Sequence, residues 1–472
     1  MEALTGKYEL DCAELGRRLG ARRSFDLIER RLRASGQEIT LFYVDGFVKD
    51  GEMQRVMQFL MSEKTVGTAE DVSLRLPYVE VDISGDISRL VTAVLSGVTV
   101  MLASSFGRSA IMIDARTYPA RTTAEPDTDR VMQGSRDGFV ETLVMNTALI
   151  RRRIRDPRLT MKHISIGTES PTDVAVCYME GVASVELVDE IVTKLERIRP
   201  KTLTLGYRSL AESLLRRGWL NPFPKVRTTE RPDTAAAQVL EGCVLIICDT
   251  TPQVMILPTS LFDYLSQADD YYFPPLTGSY LRLVRIVILL LSMVLTPVWL
   301  LYLEYADVLP DALRFLIPDD PGALPIFLQL LLVEVAIDGL KIASMNTPNM
   351  LSSSLSVVGA LILGDFAVNV GWLCPDVILY MAFIAIATFA QQNSELSYAI
   401  KTVRVITLFL VYFLGVWGLA LGLVVFVLLL VGNRTVTDRR GFLYPLIPFS
   451  PRALGRLLVR TKKSDFENKK AE

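Results

Sequence analysis

The sequence predicts an α/β N-terminal domain made of two related subdomains, followed by an α-helical polytopic membrane domain. Three observations predict it. Half of the 472 residues are hydrophobic while 22% are charged, an unusual pairing for one soluble fold. Long apolar runs begin only after Arg285, and before that point a strand-then-helix pattern recurs in order. These place residues 1–130 in a first α/β subdomain, 131–280 in a connecting helix and second α/β subdomain, 281–432 in a transmembrane helical domain, and 433–472 in a basic cytoplasmic tail.

The recurrence carries the first half of this reading. Leu41 to Val48 is strand-like and contains Tyr43, then Asp45-Gly46, and an amphipathic helix follows from Gly51 to Ser62. Val176 to Ala183 repeats the order with Tyr178 and Glu180-Gly181, and its helix runs from Ser184 to Ile198. Each unit closes alike: Leu90 to Gly97 leads into Val98–Leu102 and Ile111–Asp114, and Ala235 to Gly242 leads into Cys243–Ile247 and Val254–Leu257. A glycine that ends a helix and begins a strand is the expected left-handed cap. The two matches lie 135 and 145 residues apart, which argues for duplication. Asp45 and Glu180 read as turn and helix caps rather than catalytic acids.

Between the copies, a helix through Asn146–Arg155 ends with Arg151, Arg152, Arg153 and Arg155. Such a cluster complements the helix macrodipole without any ligand. It also suits phosphate, acidic lipid or an ion-pair network between subunits, so Arg136, Arg151, Arg152 and Arg153 are the candidate subunit contacts.

Chemistry of the common enzymatic kinds has no footing. The five cysteines, Cys12, Cys177, Cys243, Cys248 and Cys374, form no C-x-x-C pair, which predicts reduced, packed thiols and no metal. His163 is the single histidine and lies in an alternating strand pattern. Phosphate-loop, dinucleotide and nucleophile-elbow motifs are absent from the sequence, so neither a cofactor nor an enzymatic function is expected. Nothing points to nucleic acid either.

The second half is polarised. Residues 1–285 carry 36 Lys or Arg against 38 Asp or Glu, residues 286–432 carry 4 against 10, and residues 433–472 carry 10 against 4. Met1 to Lys7 offers no apolar core for a signal peptide, which predicts that the domain before the first span stays in the cytoplasm. Five apolar stretches follow, Ile286–Leu303, Ala323–Ala343, Val357–Leu373, Val377–Ala390 and Val405–Gly432. Trp299, Tyr302 and Tyr305 suit an aromatic belt, and Arg282 and Arg285 before the first span, like the basic tail, suit the cytoplasmic face. Both ends inside require an even number of crossings, so four spans plus one short intramembrane element are expected.

Ionisable groups inside spans are costly and suggest function. Glu334, Asp338 and Lys341 share roughly a 60° arc of one helix face, since residues spaced i, i+4 and i+7 stack along it. Asp338 and Lys341 can pair, leaving Glu334 for water, an ion or another helix; a purely structural clamp between helices is the alternative reading. In the third stretch Val358, Leu361, Asp365 and Asn369 again share a face, apolar first and polar later, as a pore helix with a constriction would. Gly415, Gly418 and Gly422 in the last stretch are accounted for by close helix packing.

At this point the chain resembles the GerA-type A subunits of spore germination receptors. The most specific piece is Gly134 to Ile154, which is similar to a family signature with Ser135 in place of proline and Asp137 in place of glutamate. Glu230-Arg231-Pro232-Asp233 and Asp270-Tyr271-Tyr272 also match. In the membrane half, Glu334 to Leu340, Asn346-Thr347-Pro348 and Leu379 to Phe383 resemble a divergent branch of the family. The resemblance implies a multi-pass protein of the inner spore membrane that acts in germination, with A subunits forming a ring-shaped ion channel beside a transporter-like and a lipoprotein subunit. For the divergent branch, the need for those partners does not carry over.

The leading expectation is therefore a homo-oligomeric channel for monovalent cations, in contact with membrane lipid and with other germination membrane proteins as further partners. A non-conducting scaffold that relays germination signals is the alternative. A secondary transporter ranks third, because the five stretches show no inverted repeat.

Overall fold

The computed structural model describes residues 2–63, 65–118, 129, 131–215, 220–306, 311–346, 367–391, 393–437, 441–451 and 454–455. The chain divides into two compact units: Met1–Arg217 with Val226–Thr259 and Thr435–Arg439, and Gly218–Lys225 with Ser260–Arg434 and Arg440–Glu472.

Duplication is plain in the first unit. Helix α1 (Tyr8–Leu19) leads to β1 (Leu27–Ala34) and β2 (Gln37–Val44), then α2 (Asp50–Ser62), α3 (Ala69–Arg75), β3 (Val81–Ser84), α4 (Ile87–Leu95), β4 (Thr99–Ala103) and β5 (Ala110–Ile113). The series then starts again with α5 (Leu143–Arg153), β6 (Leu159–Ile166), β7 (Thr172–Met179), α6 (Val185–Arg197), α7 (Tyr207–Leu214), β8 (Arg227–Thr229), α8 (Pro232–Leu240), β9 (Val244–Cys248) and β10 (Val254–Leu257). The two five-stranded sheets have matching orders, β1-β2-β4-β5-β3 and β6-β7-β9-β10-β8, and their neighbouring strands pair antiparallel.

Both faces of each sheet are covered, which explains why the strands read as continuous apolar runs. Phe42, Val44, Val100, Leu102 and Met112 meet α1 and α4, while Ile39, Leu41, Met101, Ile111 and Ile113 meet α2 and α3. The second sheet alternates in the same way between α5 with α8 and α6 with α7. Gly97 (φ +96°) and Gly242 (φ +98°) occupy the left-handed position between helix and strand that the sequence assigns them.

The helix read as a connector is part of the repeat. Asp11 in α1 accepts hydrogen bonds from the Thr5 and Gly6 amides at 2.8 and 2.9 Å. Asn146, 135 residues later in α5, accepts from the Val140 amide at 2.8 Å and donates to its carbonyl at 2.6 Å. The GerA-like signature is thus the opening of the second copy.

The second unit is helical: α9 (Asp269–Tyr272), α10 (Pro275–Glu304), α11 (Ile326–Asn346), the single turn α12 (Ala367–Asn369), α13 (Pro375–Phe389), α14 (Ser394–Leu414) and α15 (Val416–Val431). Among the described residues α10 and α14 are long and apolar enough to cross a membrane, and α13 and α15 are shorter apolar helices. The stretch Val405–Gly432, expected as one span, is instead broken at Gly415, whose φ of +54° and ψ of −131° end one helix and start the next. A Cβ on Gly418 would collide with the Leu410 carbonyl oxygen, and one on Gly422 would lie 2.6 Å from the Thr407 side chain. Helix α15 therefore folds back along α14, and packing accounts for Gly418 and Gly422 while Gly415 is set by its backbone conformation.

Candidate functional site

Helix α11 is apolar apart from a few groups, and the charged ones are Glu334, Asp338 and Lys341. Their neighbour is α14, which supplies Lys401 and Arg404 one helical turn apart. Arg404 donates from Nη2 to Glu334 Oε1 at 2.7 Å and from Nη1 to the Ser292 carbonyl at 2.9 Å. Lys401 Nζ lies 3.0 Å from the same Glu334 oxygen and also donates to Asp338. Two acids and two bases thus join α11 to α14.

Glu334 thus meets another helix, and Asp338 pairs across to it as well rather than with Lys341. Side chains on one helix compete with those of a facing helix, and Lys401 meets Asp338 more directly. Lys341 instead places its ammonium over the rings of Tyr398 and Phe389, 4.7 and 5.9 Å from their centroids. A cavity of about 20 Å³ between Asp338, Lys341, Thr388 and Ser397 is large enough for about one water. The cluster keeps unused capacity, for among the described residues Glu334 Oε2 and Arg404 Nε are buried without a hydrogen-bond partner.

Of the other face predicted as a pore helix, Asn369 ends α12 as an exposed residue. Val358, Leu361 and Asp365 lie outside the described residues. Trp299, assigned to an aromatic belt, is buried: its Nε1 donates to the Leu316 carbonyl at 2.9 Å and its ring lies 4.4 Å from that of Tyr380. Arg282 and Arg285, read as charges flanking a span, are both buried on the fully enclosed Asp270, at 3.2 and 3.1 Å. Arg285 further donates to the Leu265 carbonyl at 2.6 Å and to Gln267 at 2.8 Å. Asp270 and these arginines form a buried cluster at the start of α10 that charge counting alone did not find.

In the first unit the arginine cluster separates into distinct roles. Arg151 is fully buried and donates from Nε and Nη2 to Asp26 Oδ2 and Oδ1 at 2.7 and 3.0 Å. The same guanidinium reaches Ser24 Oγ and the carbonyls of Asp156 and Leu159. Asp26 precedes β1 and Leu159 opens β6, so Arg151 fastens one subdomain to the other. It is enclosed within its own chain, which replaces the subunit-contact reading for this residue. Arg153 donates to both oxygens of Asp137 at 2.6 and 2.7 Å, Arg152 lies 4.6 Å from the Tyr118 ring centroid, and Arg136 is exposed. Arg231 is also fully buried, donating to Asp233 at 2.7 Å and to the Ser135 carbonyl at 2.9 Å. Both GerA-like segments of this unit are therefore laced to its frame.

Burial pushes the thiol of Cys12 up to about 11 and those of Cys177 and Cys248 to about 12. These are packed thiols, not nucleophiles. His163 lies 3.0 Å from Asp173 on the strand surface. Among the described residues no group of three or more metal-ligating side chains converges.

Comparison with known proteins covers both units. The family model for the Bacillus/Clostridium GerA spore germination protein matches residues 14–471. Stage V sporulation protein AF of Bacillus subtilis (strain 168) is 37% identical over 451 residues, covering 94% of this chain and 91% of that one. Spore germination protein KA of the same organism is 27% identical over 460 residues, covering 95% and 83%. Among solved structures, the N-terminal domain of the A subunit of the Bacillus megaterium spore germinant receptor GerK3 is similar at 22% identity and a TM-score of 0.40, over 54% of this chain and 95% of that chain. The chain belongs to the GerA family of spore germination proteins.

Proposed function

We propose that several copies of this germination protein assemble into a ring-shaped channel that passes monovalent cations across the inner spore membrane. The buried cluster of Glu334, Asp338, Lys401 and Arg404 among apolar helices is the observation that carries this reading. Ionisable groups at such a depth are costly, a carboxylate oxygen without a partner among the described residues adds to that cost, and a function that uses them accounts for their retention. The acidic balance of residues 286–432 supports cations as the permeant charge. In this reading the paired subdomains hold the ring together without enzymatic activity, and they and the basic tail face the spore core.

The test is ion flux through purified protein in liposomes. Wild type should pass monovalent cations above the protein-free background. Glu334→Gln and Asp365→Ala should alter conductance or selectivity; equal currents in all three would remove both residues from the path.

One observation favours a non-conducting scaffold. The cluster is electrically balanced, two acids against two bases, as a clamp between helices would be. No flux above background, with a monomeric mass in detergent, would favour that scaffold.

A further inference from the structure

Outside the ion-pair cluster, the most unusual surface of the helical unit is the segment just beyond its last helix. Phe442 is buried against the rings of Phe223 and Tyr264, and its carbonyl accepts the Leu261 amide at 2.7 Å. From that anchor the backbone closes on itself: Tyr444 donates to the Gly441 carbonyl, Leu446 to Leu443, and Ser450 to Pro445, at 2.9, 2.7 and 2.9 Å. The hook so formed turns its apolar side chains outward. Leu446, Ile447 and Phe449 are 43, 58 and 68% exposed.

Four consecutive apolar residues, Leu446 to Phe449, held outward by an ordered backbone would be a poor surface in water. The flanking charges indicate what covers them. Arg434, Arg439 and Arg440 precede the hook, Arg452, Arg456 and Arg460 follow it, and no acidic residue occurs between Asp438 and Asp465. An apolar tip bounded by cations matches the boundary of an anionic bilayer, where acyl chains cover the tip and headgroups meet the arginines. The position fits as well: α15 ends only ten residues before Gly441, and its last turns expose Leu428 and Val431.

We propose that residues 441–449 are an interfacial anchor that inserts Leu446, Ile447 and Phe449 into the surface of a bilayer containing anionic lipid. The anchor rests on the membrane reading of the helical unit. It fixes the chain leaving α15 at the membrane surface.

The test uses the full-length chain with Cys243→Ser, spin-labelled at Ile447→Cys or at Leu428→Cys in α15, in nanodiscs of phosphatidylcholine with or without phosphatidylglycerol. The ratio of accessibility to oxygen over a water-soluble nickel chelate reports depth. With phosphatidylglycerol present, position 447 should show a ratio several-fold above its value in detergent and below that at 428. A lipid-like ratio at 428 with a water-like ratio at 447 overturns the anchor and leaves the membrane reading standing. Water-like ratios at both positions would instead sink the membrane reading itself. Protection of 447 from both reagents overturns the anchor in favour of a protein partner, and equal ratios with and without phosphatidylglycerol overturn the anionic headgroup assignment.

Discussion

Arg151 and Arg404 are both buried beside a carboxylate, yet one site is closed and the other is not. Arg151 meets Asp26 through two parallel hydrogen bonds and spends its remaining donors on Ser24 and two carbonyls. Arg404 meets Glu334 through one, and among the described residues Nε of the arginine and Oε2 of the acid lack partners. Lys401 crowds onto the same Glu334 oxygen rather than the idle one. A bidentate, saturated pair resists rearrangement because every alternative leaves a buried charge exposed to apolar surroundings. The unsaturated cluster has bonds still to make, so exchange of partners costs it less. Burial alone does not separate a structural lock from a site that can change state; the completeness of its hydrogen bonding does.

The largest effect that would break this contrast is expected at the closed site. Arg151→Met leaves Asp26 buried without its cation and should cost about 3–5 kcal/mol. Thermal unfolding of the full-length chain measures it, and a loss near zero would show that Arg151 does not lock the subdomains. Arg404→Met should cost less, about 1–3 kcal/mol, because Lys401 stays 3.0 Å from Glu334. Should the two variants lose stability equally, the distinction drawn between the sites would collapse. Ser24→Ala sharpens the same comparison on the closed side. Its hydroxyl accepts from Arg151 at 3.1 Å and from the Met161 amide at 3.0 Å and donates to Asp26, so its loss should cost about 1–2 kcal/mol.

The sequence made the repeat legible because each copy states it in local terms: an apolar strand with a tyrosine, an acid and glycine, a helix, then a glycine cap. The equivalence of α1 and α5 was not legible, since Asp11 and Asn146 do the same work with different side chains and their neighbours look unlike. On α11, helical spacing was enough to bring Glu334, Asp338 and Lys341 to one face. Their partners were hidden because pairing across helices depends on which faces meet, although Lys401 and Arg404 are two of the four bases between residues 286 and 432. The break at Gly415 was invisible in hydropathy, as the run stays apolar on both sides. Among the arginines ending α5, macrodipole reasoning treats all alike, and only the approach of Ser24–Asp26, ahead of β1, to Leu159 and Met161 of β6 selects Arg151.

The smallest expected effect concerns an acid close to the closed lock. Burial raises the carboxyl of Asp45 above the ordinary aspartate range, a Gly46 backbone hydrogen bond opposes this, and the charge of Asp26 adds to the rise. A carboxyl whose folded-state value lies above its unfolded value binds its proton more tightly when folded. Stability therefore falls as pH rises from the unfolded value through the folded one. Asp45→Asn removes that loss: the variant should match wild type below the window and exceed it slightly above. Unfolding temperatures across mildly acid to neutral pH compare them. If the difference stays constant with pH, Asp45 is not the group that titrates in this window.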